Sequence, residues 1–409
     1  MRYVITPALT GELLHDWLVV SERYDDPYVD PRMIAAVQES MANQARFSNV
    51  IVYDEDDHPA AISCFFAERA DTLLLAPPRV RRVAQAIRRL RQKFFRFPML
   101  FCGLPASAGW NQLRFRHGTD VPAALQAIHR AQEELRRPAR AWATVLMEFD
   151  DTQAADLHGL EDLGYARADS PPMYVLPAQG RTFEEYVAAM KSHYRRMIPR
   201  SERKFAKSGI RVAHLSGGDA FLNAFTDEVY DLYLQVVRRA DIVMHVLPAA
   251  YFRALAQQFG EQFLATILYQ NERPVGFAIG IIAHNSYYGQ FIGLDYAGKE
   301  ASDLYFNLFY ENLRFAMQRR VEHVFMGSDS DRFKLRLGCR RSRRHVYIHL
   351  HGWPDRPFRR TKRLWLPPIE YVDHEMDVFL APAASMPTSS AIVPSDGGGA
   401  IASPVSPKA

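Results

Sequence analysis

The sequence predicts an α/β (α+β) protein built from two tandem copies of one unit. Each copy is a mixed, largely antiparallel sheet flanked by helices, and a disordered tail follows. Three observations predict this. Two distant segments carry the same strand–turn–strand order, each is followed by a helix and a further strand, and each copy closes on a short unit ending in Leu-Gly.

In the first copy, Ile51-Val52-Tyr53 leads through an acidic turn to Pro59 and then to the apolar run 60–66, with Leu73-Leu74-Leu75 as a third short strand. A helix runs from about 120 to 137 with Pro122 at an early position, where its missing N–H costs nothing, and a strand follows over 142–149. In the second copy the strand 263–269, the turn Asn271-Glu272-Arg273-Pro274 and the strands 275–283 and 287–294 repeat that order. A helix over 302–319 and a strand over 321–326 complete it. The closing units are Leu160-Glu161-Asp162-Leu163-Gly164-Tyr165 and Lys334-Leu335-Arg336-Leu337-Gly338-Cys339. These place one domain over 1–178, a second over 179–380 and a tail over 381–409. The tail is rich in Ala, Pro, Ser and Gly and cannot bury enough apolar surface to offset its ordering entropy.

With 409 residues, 48% of them hydrophobic, the chain can bury a substantial core. No basic segment followed by an apolar core opens the sequence, and no apolar run reaches the roughly 18 residues of a membrane span. The expected location is therefore cytoplasmic. Cys64, Cys102 and Cys339 are odd in number and lack Cys-x-x-Cys spacing, which argues against a disulfide framework and a thiolate zinc site. The net charge of +4 does not by itself imply nucleic acid.

The distribution of charge is more informative. Residues 183–209 form a basic helical stretch with Lys191, Arg195, Arg196, Arg200, Arg203, Lys204 and Lys207. Tyr194, Ile198, Ser201 and Phe205 fall near one stripe, so a packed helix with a solvated cationic face is expected, and Pro199 should kink it or start a second helix. A second cationic cluster runs from Arg319 through Arg332, Arg336, Arg340 and Arg344 to Arg363. It suits an anionic partner such as coenzyme A phosphates, a nucleotide-linked acceptor or a charged tRNA. His345, His349 and His351 share one side of an extended segment, but no carboxylate accompanies them at fixed spacing, so no metal is expected.

Four features in order resemble one family. They are the basic helix opening Lys191-Ser192-His193-Tyr194-Arg195-Arg196-Met197, the hairpin 268–276, the aromatic strand Tyr287-Tyr288-Gly289-Gln290-Phe291-Ile292-Gly293, and Phe333-Lys334 with Leu337-Gly338. Together they resemble the GCN5-related N-acetyltransferase (GNAT) fold, in its FemABX-like branch of double-domain acyl and aminoacyl transferases. The resemblance implies attack by an amine on an activated carbonyl, held where two central strands splay and leave backbone N–H groups free to stabilise the oxyanion. Those strands are expected to be 275–283 and 287–294. The loop 296–301 and the following helix N-terminus would receive phosphate, which places Gly293, Gly298, Lys299, Ala301 and Ser302 at the cofactor. Ordinary acetyl-CoA enzymes carry Gln or Arg, then Gly, then Gly or Ala in that loop. This chain has Asp295, Gly298 and Glu300, with Lys299 as partial compensation.

The resemblance also implies roles for single residues. Lys334 stands where ordinary members often keep a Tyr, and its ammonium can neutralise charge on the oxyanion or leaving group, or shuttle a proton. Asp329 or Asp331 would orient or deprotonate the amine. Tyr287 and Tyr288 alternate across a strand, so at most one, taken as Tyr288, faces the cleft, and Tyr305 is expected to pack. The first copy has Leu160 at the place of Lys334, so the second copy should hold the chemistry. The implied function is an N-acyltransferase, using an acyl thioester on coenzyme A or a carrier protein. The amine acceptor would be a small molecule, a lipid or a cell-wall precursor. Aminoacyl transfer from tRNA is the alternative, and an inactive GNAT-like binding protein the second.

Overall fold

The computed structural model describes residues 1–380 apart from 25, 72–85, 88–90, 92–93, 95, 108, 241–242, 244, 298–301, 329–330, 354 and 372–373. The expected strand at Leu73 to Leu75 and the tail 381–409 lie outside these residues. Among the described residues no helix is long and apolar enough to cross a membrane.

The first copy contributes β1 (Arg2–Thr6), β2 (Arg46–Tyr53), β3 (Pro59–Asp71), β4 (Arg96–Cys102), β5 (Arg114–Phe115), β6 (Ala143–Phe149) and β7 (Ala166–Pro177). The second contributes β8 (Arg211–Ser216), β9 (Phe263–Gln270), β10 (Arg273–Ala283), β11 (Ser286–Leu294), β12 (His323–Phe325) and β13 (Arg340–Leu350). Local chemistry sets the element ends. Asn271 and Glu272, at φ +50° and +61°, form the two-residue hairpin between β9 and β10. Asp120 caps the helix Val121–Ala139 by accepting from the Ala123 N–H at 3.1 Å, and Pro122 sits in its first turn. The basic stretch breaks into the helices Phe183–Ala189, Ser192–Arg195 and Met197–Ala206, with Pro199 tolerated in the first turn of the last. Ile198, Ser201 and Phe205 are buried there, while Arg195, Arg196, Arg200, Arg203, Lys204 and Lys207 face solvent.

The strands join one sheet in the order β1-β2-β3-β4-β6-β13-β7-β12-β11-β10-β9-β8, with β5 beside β3. Each copy's parallel pair, β4 with β6 and β11 with β12, is followed by short helices, two in the first copy and one in the second, and a last strand. The last strands are exchanged: β13 lies between β6 and β7, and β7 lies between β13 and β12. One hydrophobic cluster also spans both copies, running from Trp17, Met33 and Trp110 to Phe252, Tyr288 and Phe325. Tyr251 and Met33 meet across it, hydroxyl to sulfur, at 3.9 Å.

Candidate active site

The strands expected to splay do not. β10 and β11 are paired antiparallel along their length, from Ala283 with Ser286 to Gly276 with Leu294, because a short hairpin connection keeps consecutive strands in register. The splay lies on the other edge of β11. Parallel pairing with β12 covers only Ser286 to Tyr288 against His323 to Phe325, and β11 continues to Leu294 beyond the end of that ladder. Gly289 stands at the divergence, where an added Cβ would meet the Phe325 carbonyl oxygen at 3.0 Å. A bulge follows at once: Gly280 pairs with Gly289 and Ile279 with Phe291, so Gln290 is the extra residue. On the edge away from β10, the backbone of β11 from Gly289 onward has no strand partner among the described residues, so N–H groups on that edge can be offered to a ligand.

Lys334, on the helix Asp331–Arg336, reaches the residue that follows the C-terminal end of β12. It is 3% exposed, and its ammonium donates to the carbonyl of Met326, the residue that follows β12. The nitrogen also lies 5.4 Å from the centroid of the buried Tyr174 ring. β7 holds that corner, since Met326 N–H donates to Tyr174 O at 2.9 Å and Tyr174 N–H to Gly327 O at 3.1 Å. Gly327 leaves room there: an added Cβ would come 4.0 Å from the Lys334 nitrogen. Burial pushes the neighbouring Cys339 thiol up to about 12, against the pull of Lys334, so Cys339 is no thiolate nucleophile at neutral pH.

The other predicted residues fall in several places. Tyr288 is buried beneath the splay, stacked on Phe325 at 4.6 Å between ring centroids. Tyr287, on the opposite face, donates to Asn312 at 2.9 Å. Tyr305 packs on Phe309 and Phe333. Gly293 faces Phe277 and the backbone of Tyr233, where an added Cβ would come within 2.2 and 2.7 Å. Ser302 is buried, and its carbonyl accepts from Asn307 at 3.1 Å. Asp295 turns its carboxylate onto the Ala297 N–H at 2.9 Å. Asp329, Gly298, Lys299 and Ala301 lie outside the described residues. His345 pairs with Asp151 at 2.7 Å, apart from the other two histidines.

Sequence reasoning missed the contribution of the first copy. Trp110 stacks on Tyr28 at 5.7 Å and contacts Tyr288 and Phe325 at 5.3 and 4.9 Å. The bulge residue Gln290 donates to the Tyr28 hydroxyl at 2.9 Å. Trp110 also lies beside the buried guanidinium of Arg344, 5.6 Å from its ring centroid, and its backbone N–H meets the half-buried Glu148. Burial raises the Glu148 carboxyl to about 7 despite Arg344, the Gly109 and Trp110 N–H groups and Ser107. No element is predicted from the sequence between Leu75 and Asp120, so neither Gly109 nor Trp110 stood out.

Known structures share this fold. FemX is similar over 89% of this chain and 100% of its own, with a TM-score of 0.53 and 11% identity. A tandem GNAT protein from the clavulanic acid biosynthesis pathway is similar over 86% of this chain and 99% of its own, with a TM-score of 0.53 and 12% identity. The C-terminal domain of a putative lysylphosphatidylglycerol synthetase from Agrobacterium fabrum covers 88% of this chain and 99% of its own, at a TM-score of 0.50 and 10% identity. No curated protein sequence matches the chain. At such identities the likeness shows the fold, a FemABX-like arrangement of GNAT units. Residues 81–378 match the FemAB-like family, described as peptidoglycan biosynthesis/recognition, and the chain belongs to that family.

Proposed function

We propose that the chain is an amide-forming transferase, with the chemistry in residues 179–380 and with residues 1–178 shaping the cleft. The acyl carbonyl rests on the open edge of β11 beyond Gly289, where N–H groups stabilise the oxyanion. An acceptor amine attacks, the C–N bond forms, and the C–O or C–S bond to the donor breaks. The amine proton passes to the departing oxygen or sulfur. Lys334 neutralises the developing charge at the mouth of the splay, and Asp329 orients the amine. The observation that carries this reading is the Lys334 ammonium, buried and aimed at the end of β12.

FemAB-like membership and the solvated cationic face of the helix Met197–Ala206 favour aminoacyl-tRNA as donor and the amine of a peptidoglycan precursor as acceptor. A coenzyme A or carrier thioester is the second reading. It rests on the fold shared with the tandem GNAT protein, and the Asp295 carboxylate, which already takes the Ala297 N–H of that loop, weighs against it. The cytoplasm, where both donor classes are found, is the proposed location. The test is to incubate the protein with labelled aminoacyl-tRNA or acyl-CoA and a peptidoglycan-precursor amine, and to weigh the products. One donor should give an amide product. Absence of transfer from both, or full transfer by Lys334→Met, overturns the proposal.

A further inference from the structure

The strand and helix that the sequence left without metal chemistry converge far from the cleft. The helix Val121–Ala139 brings Glu133 against the end of β13, where His349 and His351 lie. One donor atom from each of the three comes within 4.8 Å of the others. We propose that Glu133, His349 and His351 form a transition-metal site, of the zinc class, that ties β13 to the first copy's helix.

Five observations support this. Glu133 Oε1 lies 3.5 Å from His351 Nδ1. Zinc–ligand bonds of 2.0–2.2 Å in a tetrahedron put ligand atoms about 3.3 Å apart, so this edge is already near its bound length. The second nitrogen of His351 is held by the Thr144 hydroxyl at 2.9 Å, the outer contact that fixes the orientation of a ligating imidazole. Nδ1 of His349, shielded from solvent, has no hydrogen-bond partner, which makes it the natural third donor. Arg136 grips Glu133 most closely through Oε2, at 2.8 Å, and its bond to Oε1 is longer, at 3.1 Å. Oε1 can therefore turn to a cation while Arg136 keeps the other oxygen. His129 closes the site by stacking on His349 at 5.8 Å, its Nδ1 within 3.2 Å of the Tyr165 hydroxyl.

Two imidazoles and one carboxylate select zinc, cobalt or nickel over magnesium and calcium, which prefer all-oxygen sites. Three protein ligands leave the fourth position to water. The place argues for a structural tie rather than a share in the transfer chemistry. β13 rises ~3.3 Å per residue, so His349 sits roughly 30 Å from Arg340, the end of the strand beside Lys334 and Cys339. Because β13 belongs to the second copy but pairs with β6, the metal would fasten the exchanged strand.

The test uses the untagged, chelator-stripped full chain titrated with zinc or cobalt alone. One equivalent should bind, and cobalt should give the visible absorption of a tetrahedral site. Melting temperature should rise on addition. His349→Gln and Glu133→Gln should each weaken binding by about tenfold or more and abolish the cobalt spectrum. Thr144→Val, which leaves all three ligands in place, should weaken it about tenfold, as removal of an outer-shell partner does. Sub-stoichiometric binding, an octahedral cobalt spectrum, or binding unchanged in both the His349 and Glu133 variants overturns the site. Circular dichroism of each variant separates lost binding from lost folding.

Discussion

The two closing units, Leu160 to Tyr165 and Lys334 to Cys339, make the same turn out of different chemistry. In the first, Tyr165 N–H reaches Leu160 O at 3.0 Å and Gly164 N–H reaches Glu161 O at 3.0 Å. In the second, Cys339 N–H reaches Lys334 O at 3.0 Å and Gly338 N–H reaches Leu335 O at 2.9 Å. Both are Schellman closures, with the glycines at φ +94° and +87°. The residues at the start of the turn then diverge. Leu160 fills the core beside Leu125 and Leu157, whereas Lys334 places an ammonium at a strand end. The strand ends diverge in a complementary way. Two residues past the last parallel pair, the first copy has Glu148 and the second has Gly327, both left-handed at φ +68° and +73°. Glycine adopts that conformation freely, and the Lys334 nitrogen lies beside it, 4.0 Å from where a Cβ would stand. One scaffold has therefore kept its backbone twice while its side chains at this turn diverged.

The sharpest break of this comparison is to exchange chemistry for packing at the paired positions. Lys334→Met should lower kcat by about 10²–10³-fold, the usual effect of removing a group that stabilises developing charge, with the fold retained. Leu160→Ala should leave kcat nearly unchanged and cost about 2–5 kcal/mol of stability through its cavity. Transfer assays and urea unfolding on both variants read the two effects separately. A variant at 160 that lost turnover without losing stability would dissolve the asymmetry.

Glu148 sharpens it through pH. Its carboxyl is raised from the ordinary 4.5 to about 7, chiefly by burial. Below the ordinary value both the folded and unfolded chains hold the proton. Between the two values only the folded chain does, so this group's contribution to stability is present at low pH and is lost as pH rises through the folded value. The loss is at most about 3 kcal/mol, from ~1.4 kcal/mol per unit, and less where water reaches the carboxyl. Arg344, Asp150, Ser107 and the Gly109 and Trp110 N–H groups surround the network and set the local field. Glu148→Gln should flatten the stability profile across that window and stabilise the protein above it. A parallel profile in the variant would place the carboxyl in water.

Much of this architecture could be read from local signals. The hairpin turn at Asn271-Glu272, the Asp120 cap with Pro122, and the two Leu-Gly closures depend on residues close in sequence, and each landed within a few residues of its place. The exchange of β7 and β13 could not be read, because antiparallel partners from different copies leave no mark in either strand. The splayed pair was misplaced for the same reason. A hairpin announces its partner across a two-residue turn, but the parallel partner of β11 lies beyond the helix Leu304–Met317. Glu148 escaped notice because a glutamate at positive φ violates the propensity from which turns are inferred. The carboxylate missing beside His349 and His351 was supplied by Glu133, from a helix in the other copy.

The smallest expected effect tests the turn itself. Both glycines hold a left-handed backbone, so alanine at either costs about 1–2 kcal/mol for the Cβ against the following carbonyl. Their surroundings then separate them. At Gly164 the nearest neighbour of an added Cβ is His349 Nε2 at 3.5 Å, an ordinary contact. At Gly338 the added carbon would lie 2.5 and 2.7 Å from two carbons of the Phe379 ring, which is buried against Tyr186 in the second copy's own core. Gly338→Ala must therefore move Phe379, whose segment also bridges to Met190. It should cost roughly 1–3 kcal/mol more than Gly164→Ala, the usual range for overpacking a core. Denaturant midpoints of the two variants give the difference directly. Equal losses would mean that the residues 376–380 yield without cost, and that the second turn is no more tightly enclosed than the first.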